Sequence, residues 1–206
     1  MIRSHPMQDY PNPYYYRPVK NTALTKDECM EVLYFALKKD PFYRYEFLLF
    51  WFMIVTGLRN SEVRMLRRSK INLDSKRILV NEGQKNASRV AYLTPALAEE
   101  IQRFTQHPIY LTTENNGNEF LFSNQGKAHS ANSLGKVIRN LCKNAGITRT
   151  VTPHDLRRTA AYLIQTGGMH IIEVQKQLGH KILATTLRYT PPLKELAEIL
   201  VSVELE

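Results

Sequence analysis

The chain has 206 residues, enough for one domain with a substantial core, and its 28 Lys and Arg against 19 Asp and Glu give a formal net charge of +9. This excess favours a polyanionic partner, most simply nucleic acid. The longest apolar run, residues 47–55, is too short for a membrane span of roughly 20 residues, and the first ten residues lack the apolar stretch of a signal peptide, so we expect a cytoplasmic protein.

The two cysteines, Cys29 and Cys142, lie far apart inside helical patterns. We expect free, buried thiols in a reducing compartment, and the cysteine spacing of a metal site is absent.

Residues 1–21 contain four prolines and the cluster Tyr14-Tyr15-Tyr16. Because proline at this density blocks both helix and sheet, this segment is predicted to be an extended arm or linker. A disordered tail and an arm that docks through its aromatic residues both remain open. The remaining residues, 22–206, are predicted to form a single domain.

Helical signals dominate that domain. Thr25 and Glu28 form a capping box, Asp40-Pro41 is predicted to begin a second helix that stops at Gly57, and a short third helix begins at Asn60 or Ser61. Later helices are predicted from Thr94-Pro95 to about Gln106, from Ser130 to Asn144, from Thr152-Pro153 to Gly167-Gly168, in two shorter segments, and from Leu193 to about Val203.

The hydrophobic period changes between the third and fourth of these helices. Residues 77–80 and 89–93 are predicted to be short strands joined by a polar loop, and residues 120–123 are a third candidate strand. The predicted fold class is therefore mainly α with a small antiparallel β-sheet (α+β).

Two short motifs carry arginines in positions suited to a site. In "TPHDLRRT", 152–159, His154 and Arg157 are three residues apart in the first turn of a helix and so share one face. In "TGLRNSEV", 56–63, Arg59 follows a helix-ending glycine, and Glu62 is near enough to steer it. Taken alone, the first motif is better explained as a solvated polar turn, and the second is also compatible with an ordinary surface arginine beside a glutamate.

Three further residues complete a chemically coherent set. Lys85 lies in the loop between the predicted strands, and "LGHKILATTLRY", 178–189, contains His180 and Tyr189. Arginines can clamp phosphate oxygens, a tyrosine hydroxyl can attack phosphorus, and histidine and lysine can transfer the protons. Phosphoryl transfer that needs no metal and no cofactor is therefore expected, because no carboxylate cluster of the two-metal kind accompanies the set.

These three motifs, in this order and at these separations, resemble the catalytic domain of the tyrosine recombinase (phage integrase) family over about residues 22–206. The resemblance implies that fold and a site-specific recombinase that cuts and rejoins DNA through a 3′-phosphotyrosyl intermediate. It assigns phosphate binding to Arg59 and Arg157, the general base to His154, a phosphate hydrogen bond to His180, the general acid to Lys85, support of the arginine site to Glu62 and the nucleophile to Tyr189.

The sequence departs from the family pattern in three places. Lys85 matches only after a small shift, and Lys76 is a poorer candidate for the general acid. Arg158 stands where a second histidine is common. The N-terminal DNA-binding domain usual in full-length members is absent from this chain or reduced to the arm.

DNA contacts are predicted on two basic surfaces. Lys136, Arg139 and Lys143 lie opposite the apolar stripe of their helix, and Arg67 and Arg68 belong to the basic segment "LRRSK", 66–70. Binding to double-stranded DNA is expected to weaken steeply with salt.

The resemblance also implies a tetramer on paired DNA sites and a monomer without DNA. The C-terminal segment repeats Leu193, Leu196, Leu200 and Val203 at helical spacing, and in this family such a helix often docks on a neighbouring protomer. Packing on its own domain is the alternative. Two other functions stay open: relaxation of supercoils in the manner of a type IB topoisomerase, and DNA binding without turnover.

Overall fold

The computed structural model describes residues 22–82, 87–115 and 117–179. They form a mostly helical domain with two small antiparallel sheets, which confirms the predicted fold class. The helices are α1 (Lys26–Lys39), α2 (Tyr45–Thr56), α3 (Asn60–Arg64), α4 (Pro95–Thr105), α5 (Pro108–Asn115), α6 (Ser133–Asn144), α7 (Pro153–Thr166) and α8 (Ile171–Leu178); the strands are β1 (Ile71–Asn72), β2 (Arg77–Glu82), β3 (Ala87–Tyr92), β4 (Ser123–Asn124) and β5 (Lys127–Ala128).

Helix α2 is the centre of the core. It is apolar nearly all round, as its sequence predicts for a helix buried on every side, and it packs against α1, α4, α6 and α7. Phe50 and Phe52 are fully buried, and Phe52 meets Phe122 edge to face with ring centroids 5.4 Å apart. Because α2 is fixed on so many sides, the turn that follows its last residue has a defined position, and that turn carries Arg59.

Local capping signals place several helix starts correctly. The capping box of Thr25 and Glu28 begins α1, Thr94 caps α4, and Thr152 with Asp155 forms a second capping box at α7. These contacts involve residues only three apart, so the sequence alone is sufficient to predict them.

Two predicted helix starts were wrong. Helix α2 begins at Tyr45 rather than at Asp40-Pro41, because the Asp40 carboxylate accepts the backbone N–H groups of Tyr43 and Arg44 and closes a tight turn first. Helix α6 begins at Ser133 rather than at Ser130. The Ser130 hydroxyl accepts the Ser133 N–H (3.1 Å), so it supports the turn before the helix and does not cap it.

The larger sheet has the order β1-β2-β3, with Val80 opposite Arg89 in the β2–β3 pair. Both predicted strands exist, and pairing extends further toward the loop than predicted, to Glu82 and Ala87. The candidate strand at 120–123 is instead a single bridge between Phe120 and Arg67, followed by β4. Helix α5 was not predicted at all.

The first described residues are fastened to α7. The Leu24 N–H donates to the Thr159 hydroxyl (2.8 Å), and the Thr22 hydroxyl contacts the Asp155 carboxylate. The predicted arm, the C-terminal helix and one of the two shorter helices lie outside the described residues, so the predicted domain boundary stays a prediction. No helix among the described residues is long and apolar enough to cross a membrane.

Candidate active site

Arg59 lies directly after the tight turn that ends α2, and Glu62 fixes its position. The Glu62 carboxylate accepts both the Arg59 backbone N–H (2.7 Å) and its side-chain Nη1 (2.8 Å). The Glu62 side chain is only 6% exposed, whereas that of Arg59 is 42% exposed. A buried carboxylate therefore holds an arginine whose charge reaches the surface, as an arginine that binds a phosphate requires.

Arg157 lies on the buried side of α7 and connects two loops. Its Nη1 donates to the Gly57 carbonyl (2.6 Å), and its Nη2 donates to the Leu178 carbonyl (2.7 Å). The residue is 4% exposed. A guanidinium carries five N–H donors, so holding two carbonyls is compatible with contacting a phosphate as well.

The two arginines meet at the turn that ends α8. Arg157 binds the Leu178 carbonyl, and Arg59 Nη2 donates to the next carbonyl, that of Gly179 (3.3 Å). Gly57 makes this meeting possible, because it has φ +62° and a Cβ there would lie 2.3 Å from Leu178 Cδ2. Two arginines 98 positions apart in the sequence are thus brought to adjacent peptide groups, immediately before His180.

His154 occupies the second position of α7, one turn before Arg157, where the residue is accessible to solvent although part of its side chain is covered. Partial burial, followed by the positive charge of Arg158, lowers the pKa of His154 below its ordinary value of 6.5; Arg157 acts in the same direction, and Asp155 opposes it. The neutral imidazole is therefore favoured near pH 7, which is the form that can accept a proton.

The lowered pKa predicts a particular pH profile for a reaction that uses His154 as its base. The rate of covalent adduct formation is expected to be flat near neutral pH and to fall only at a pH below 6.5, where His154 becomes protonated. Single-turnover rates between pH 5 and 8 measure this. His154→Gln should react more slowly and should lose the decrease in rate at low pH, which distinguishes the titration of His154 from any titration of His180. His107→Gln is the control and should keep the profile of the parent protein. An inflection above pH 6.5 that disappears in His154→Gln would contradict the assignment.

Arg158, the residue at the family's second-histidine position, points toward the N-terminal segment. Its Nη1 donates to the Thr22 hydroxyl (2.7 Å) and lies 3.8 Å from the Asp155 carboxylate. Hydrogen bonds from Thr152 and Thr22 keep the pKa of Asp155 low despite its burial.

Sequence reasoning missed Arg89, which lies in the centre of the site. Its Nη2 donates to the Glu62 carboxylate (2.9 Å), and its side chain is only 11% exposed. The one feature of the sequence that could have indicated Arg89 as a site residue is its place in the strand that follows the loop of Lys85. The contact with Glu62 spans 27 positions, so no local pattern could reveal it.

The α6 residues lie as predicted. Lys136, Arg139 and Lys143 are exposed, on the side opposite the buried Leu134 and Ile138. A Cβ on the buried Gly135, on the same helix, would lie 3.6 Å from the Pro153 ring at the start of α7. Helix α6 therefore packs beside the helix that carries His154 and Arg157.

Arg67 and Arg68 lie elsewhere. Both are exposed and line a cavity of about 760 Å³ formed with β1 and α4, and none of the catalytic residues that the structure describes lines it. Arg67 is also paired with Glu119 (2.7 Å), which compensates part of its charge. The structure therefore groups these two arginines with α4 and not with Arg59 and Arg157.

Lys85, His180 and Tyr189 lie outside the described residues. Two of them are neighbours of described elements in the sequence: β3 begins two residues after Lys85, and the Leu178–Gly179 turn directly precedes His180. Within the described ranges, no group of three or more His, Cys, Asp or Glu side chains is placed to hold a metal ion.

Comparison with known proteins identifies relatives over nearly the whole chain. The profile of the phage integrase family matches residues 22–195. A tyrosine recombinase of Pseudothermotoga lettingae is 28% identical over 186 residues, which cover 90% of this chain and 61% of that protein. Tyrosine recombinase XerC of Chlamydia caviae is 29% identical over 135 residues, which cover 66% of this chain and 43% of that protein. The chain thus spans about half the length of these relatives.

Solved structures of recombinases and integrases are also similar to this chain. The crystal structure of XerA recombinase superposes with a TM-score of 0.72 at 28% identity, over 87% of this chain and 64% of that one. The XerH site-specific recombinase bound to palindromic difH substrate, a post-cleavage complex, also has a TM-score of 0.72, at 26% identity, over 90% of this chain and 54% of that one. A lambda integrase tetramer bound to a Holliday junction shares the fold, with a TM-score of 0.59 at 18% identity, over 82% of this chain and 48% of that one.

Proposed function

The chain belongs to the phage integrase family, and we propose that it is a site-specific DNA recombinase that cuts and rejoins strands through a covalent 3′-phosphotyrosyl intermediate. One observation carries the proposal. Arg59 and Arg157 donate to the carbonyls of Gly179 and Leu178, so two of the residues proposed to bind one phosphate converge at the turn that directly precedes His180 in the sequence. Pure DNA binding requires no such convergence.

The proposed reaction follows from the residue chemistry. Arg59, Arg157 and His180 bind the oxygens of the scissile phosphate and stabilise the charge that develops there. The Tyr189 hydroxyl forms a bond to phosphorus while His154 takes its proton, the bond from phosphorus to the 5′-oxygen breaks, and Lys85 protonates that oxygen. The phosphotyrosyl ester replaces one phosphodiester, so a 5′-hydroxyl from a second strand can reverse the step without ATP or a metal.

DNA is proposed to lie across the basic face of α6. Lys136, Arg139 and Lys143 are exposed on a helix that packs against α7, so a duplex bound there would lie close to the helix that carries His154 and Arg157. Arg67 and Arg68 are proposed as a second, weaker phosphate contact because Glu119 offsets part of their charge. The XerH structure, whose chain is bound to difH substrate, supports a DNA-bound state of this fold.

Neutralising the α6 face is expected to weaken DNA binding and its salt dependence together. Removing one phosphate contact lowers the slope of log affinity against log salt by about 0.9, so changing Lys136, Arg139 and Lys143 to Gln should reduce it by up to about 3. Fluorescence anisotropy at several salt concentrations between about 50 and 200 mM measures the slope. Changing Lys38 and Lys39, at the end of α1, should leave it near the parent value. An unchanged slope in the α6 variant would place the duplex elsewhere.

The C-terminal segment is proposed to dock on a neighbouring copy, in an apolar groove of about 920 Å³ between α1, α2, β3, α7 and α8. Leu33, Trp51 and Val55 line the groove, and its charged lining residues are Lys26, Lys176 and Glu173. Residues 193–206 contain four glutamates against one lysine, along with the leucines at helical spacing, so this segment matches the apolar lining and is opposite in sign to the groove's two lysines against one glutamate. Docking on a second copy links assembly to the placement of Tyr189.

We propose a monomer without DNA and a tetramer on paired sites. The proposal is supported by a lambda integrase of this fold, which is a tetramer bound to a Holliday junction. Sedimentation with and without DNA that carries two sites gives the stoichiometry. The proposed location is the cytoplasm, because the proposed substrate is cellular DNA and the free, buried thiols of Cys29 and Cys142 are suited to a reducing compartment.

The test of the proposed function is trapping on nicked suicide duplexes made from DNA that flanks the chain's own gene. A band that carries both protein and DNA on a denaturing gel is the expected result. Relaxation of supercoiled plasmid without strand exchange between sites would favour the topoisomerase-like alternative instead. Salt-sensitive binding that never gives an adduct, even with the N-terminal domain of a relative fused in front, would favour DNA binding without turnover.

A further inference from the structure

We propose that Arg89 is a positioning residue of this site, which sets the direction of the Arg59 guanidinium by holding two groups that accept hydrogen bonds from it, the Glu62 carboxylate and the Gly179 carbonyl. The inference rests on the proposed function for its catalytic consequence. Its structural basis is that Arg89 touches Glu62 on one side and the Gly179 turn on the other.

The first contact is a buried ion pair. Glu62 Oε2 accepts from Arg89 Nη2 (2.9 Å) and from the Arg59 backbone N–H (2.7 Å), while Oε1 accepts from Arg59 Nη1 (2.8 Å). The Glu62 and Arg89 side chains are 6% and 11% exposed. Removing Arg89 takes away one of the two arginines that compensate this buried carboxylate, so the carboxylate must shift or draw Arg59 inward.

The second contact is steric. A Cβ on Gly179 would lie 1.9 Å from Arg89 Nε and 2.3 Å from Cδ, so the Arg89 side chain lies directly against this turn. Gly179 has φ +69°, a conformation that other residues rarely adopt. Its carbonyl accepts from Arg59 Nη2 (3.3 Å). Arg89 therefore supports both groups that orient Arg59, the carboxylate through an ion pair and the carbonyl through packing.

The surrounding contacts keep this arrangement in register. The Gln177 side-chain amide makes two hydrogen bonds to the backbone of Tyr92: its oxygen accepts from the Tyr92 N–H (3.0 Å), and its nitrogen donates to the Tyr92 carbonyl (3.1 Å). This pair ties α8 to β3 three residues beyond Arg89. The strand thus links the loop of Lys85 to the turn before His180, with Arg89 between them.

The test compares Arg89→Met, Arg89→Lys, Glu62→Gln and the double variant Glu62→Gln/Arg89→Met on a suicide duplex. At saturating DNA, Arg89→Met should slow single-turnover adduct formation by roughly 10- to 100-fold, the loss typical of removing a residue that orients a group in direct contact with the reacting atoms. Its affinity for DNA should stay within about twofold of the parent protein. Arg89→Lys should recover part of the rate. The double variant should be no slower than the slower single variant, because both residues act through one unit. Arg77→Met, on the neighbouring strand, is the control and should match the parent.

A second readout does not require activity. Amide hydrogen exchange of peptides covering 57–64 and 171–179 should rise in Arg89→Met and less in Arg89→Lys, while that of 95–105 in α4 stays constant. Unchanged exchange at 171–179 would overturn the inference. So would a loss of DNA affinity with an unchanged rate, which would make Arg89 a DNA contact. If the parent protein forms no adduct, the proposed function fails while the exchange data still decide the role of Arg89.

Discussion

Tyr189→Phe is expected to form no covalent adduct with a suicide duplex, while it binds the same duplex within about twofold of the parent protein. The change removes one hydroxyl group and keeps the ring, so only the attack on phosphorus is lost. Adduct formation is followed as a protein–DNA band on a denaturing gel, and binding is followed by anisotropy at the same salt concentration.

The control for this prediction is Tyr34→Phe. Tyr34 is 69% exposed on α1, and loss of its hydroxyl should leave both adduct and binding unchanged. An adduct that persists in Tyr189→Phe would identify another residue as the nucleophile. Mapping the DNA-linked peptide by mass spectrometry would then name it.

Arg157→Lys is expected to reduce the rate of adduct formation by about 10²- to 10³-fold, the loss typical of one donor that stabilises developing charge. The parent guanidinium spans the Gly57 carbonyl (2.6 Å) and the Leu178 carbonyl (2.7 Å) with two different nitrogens. A lysine ammonium is a compact point charge that lacks this fork, so it keeps the charge but cannot hold the two loops in the same way. Single-turnover rates at saturating DNA measure the loss.

The same change is also expected to lower the free energy of unfolding by about 1–3 kcal/mol, the cost of leaving a buried carbonyl without its donor. Arg103→Lys is the matched control, because Arg103 also donates to two carbonyls, those of Phe42 (2.9 Å) and Tyr43 (3.2 Å), away from the site. It should lose stability but keep the rate at a temperature where both variants are folded. Equal rate losses in the two variants would mean that Arg157 acts only on stability.

Prediction from sequence succeeded where the signal was local. The capping box at Thr25, the helix start at Thr152-Pro153 and the helix stop at Gly57 each depend on residues within one turn of helix, and the structure has them at those places. Prediction failed where a local pattern had two outcomes. Asp40-Pro41 forms a turn before α2 rather than its first turn, and Ser130 supports the turn before α6 rather than capping that helix.

The sequence by itself determined the fold class, the family resemblance and the identity of the chemical groups, because helical period, capping and motif spacing are properties of neighbouring residues. Only the tertiary structure decided which groups meet. The hydrogen bond from Arg59 to Gly179 spans 120 positions, and the one from Arg157 to Gly57 spans 100. Arg89 joins the site through contacts with Glu62 and Gly179, which belong to two other elements. Such contacts depend on how α2, α7, α8 and β3 pack, and no local pattern in the sequence encodes that packing.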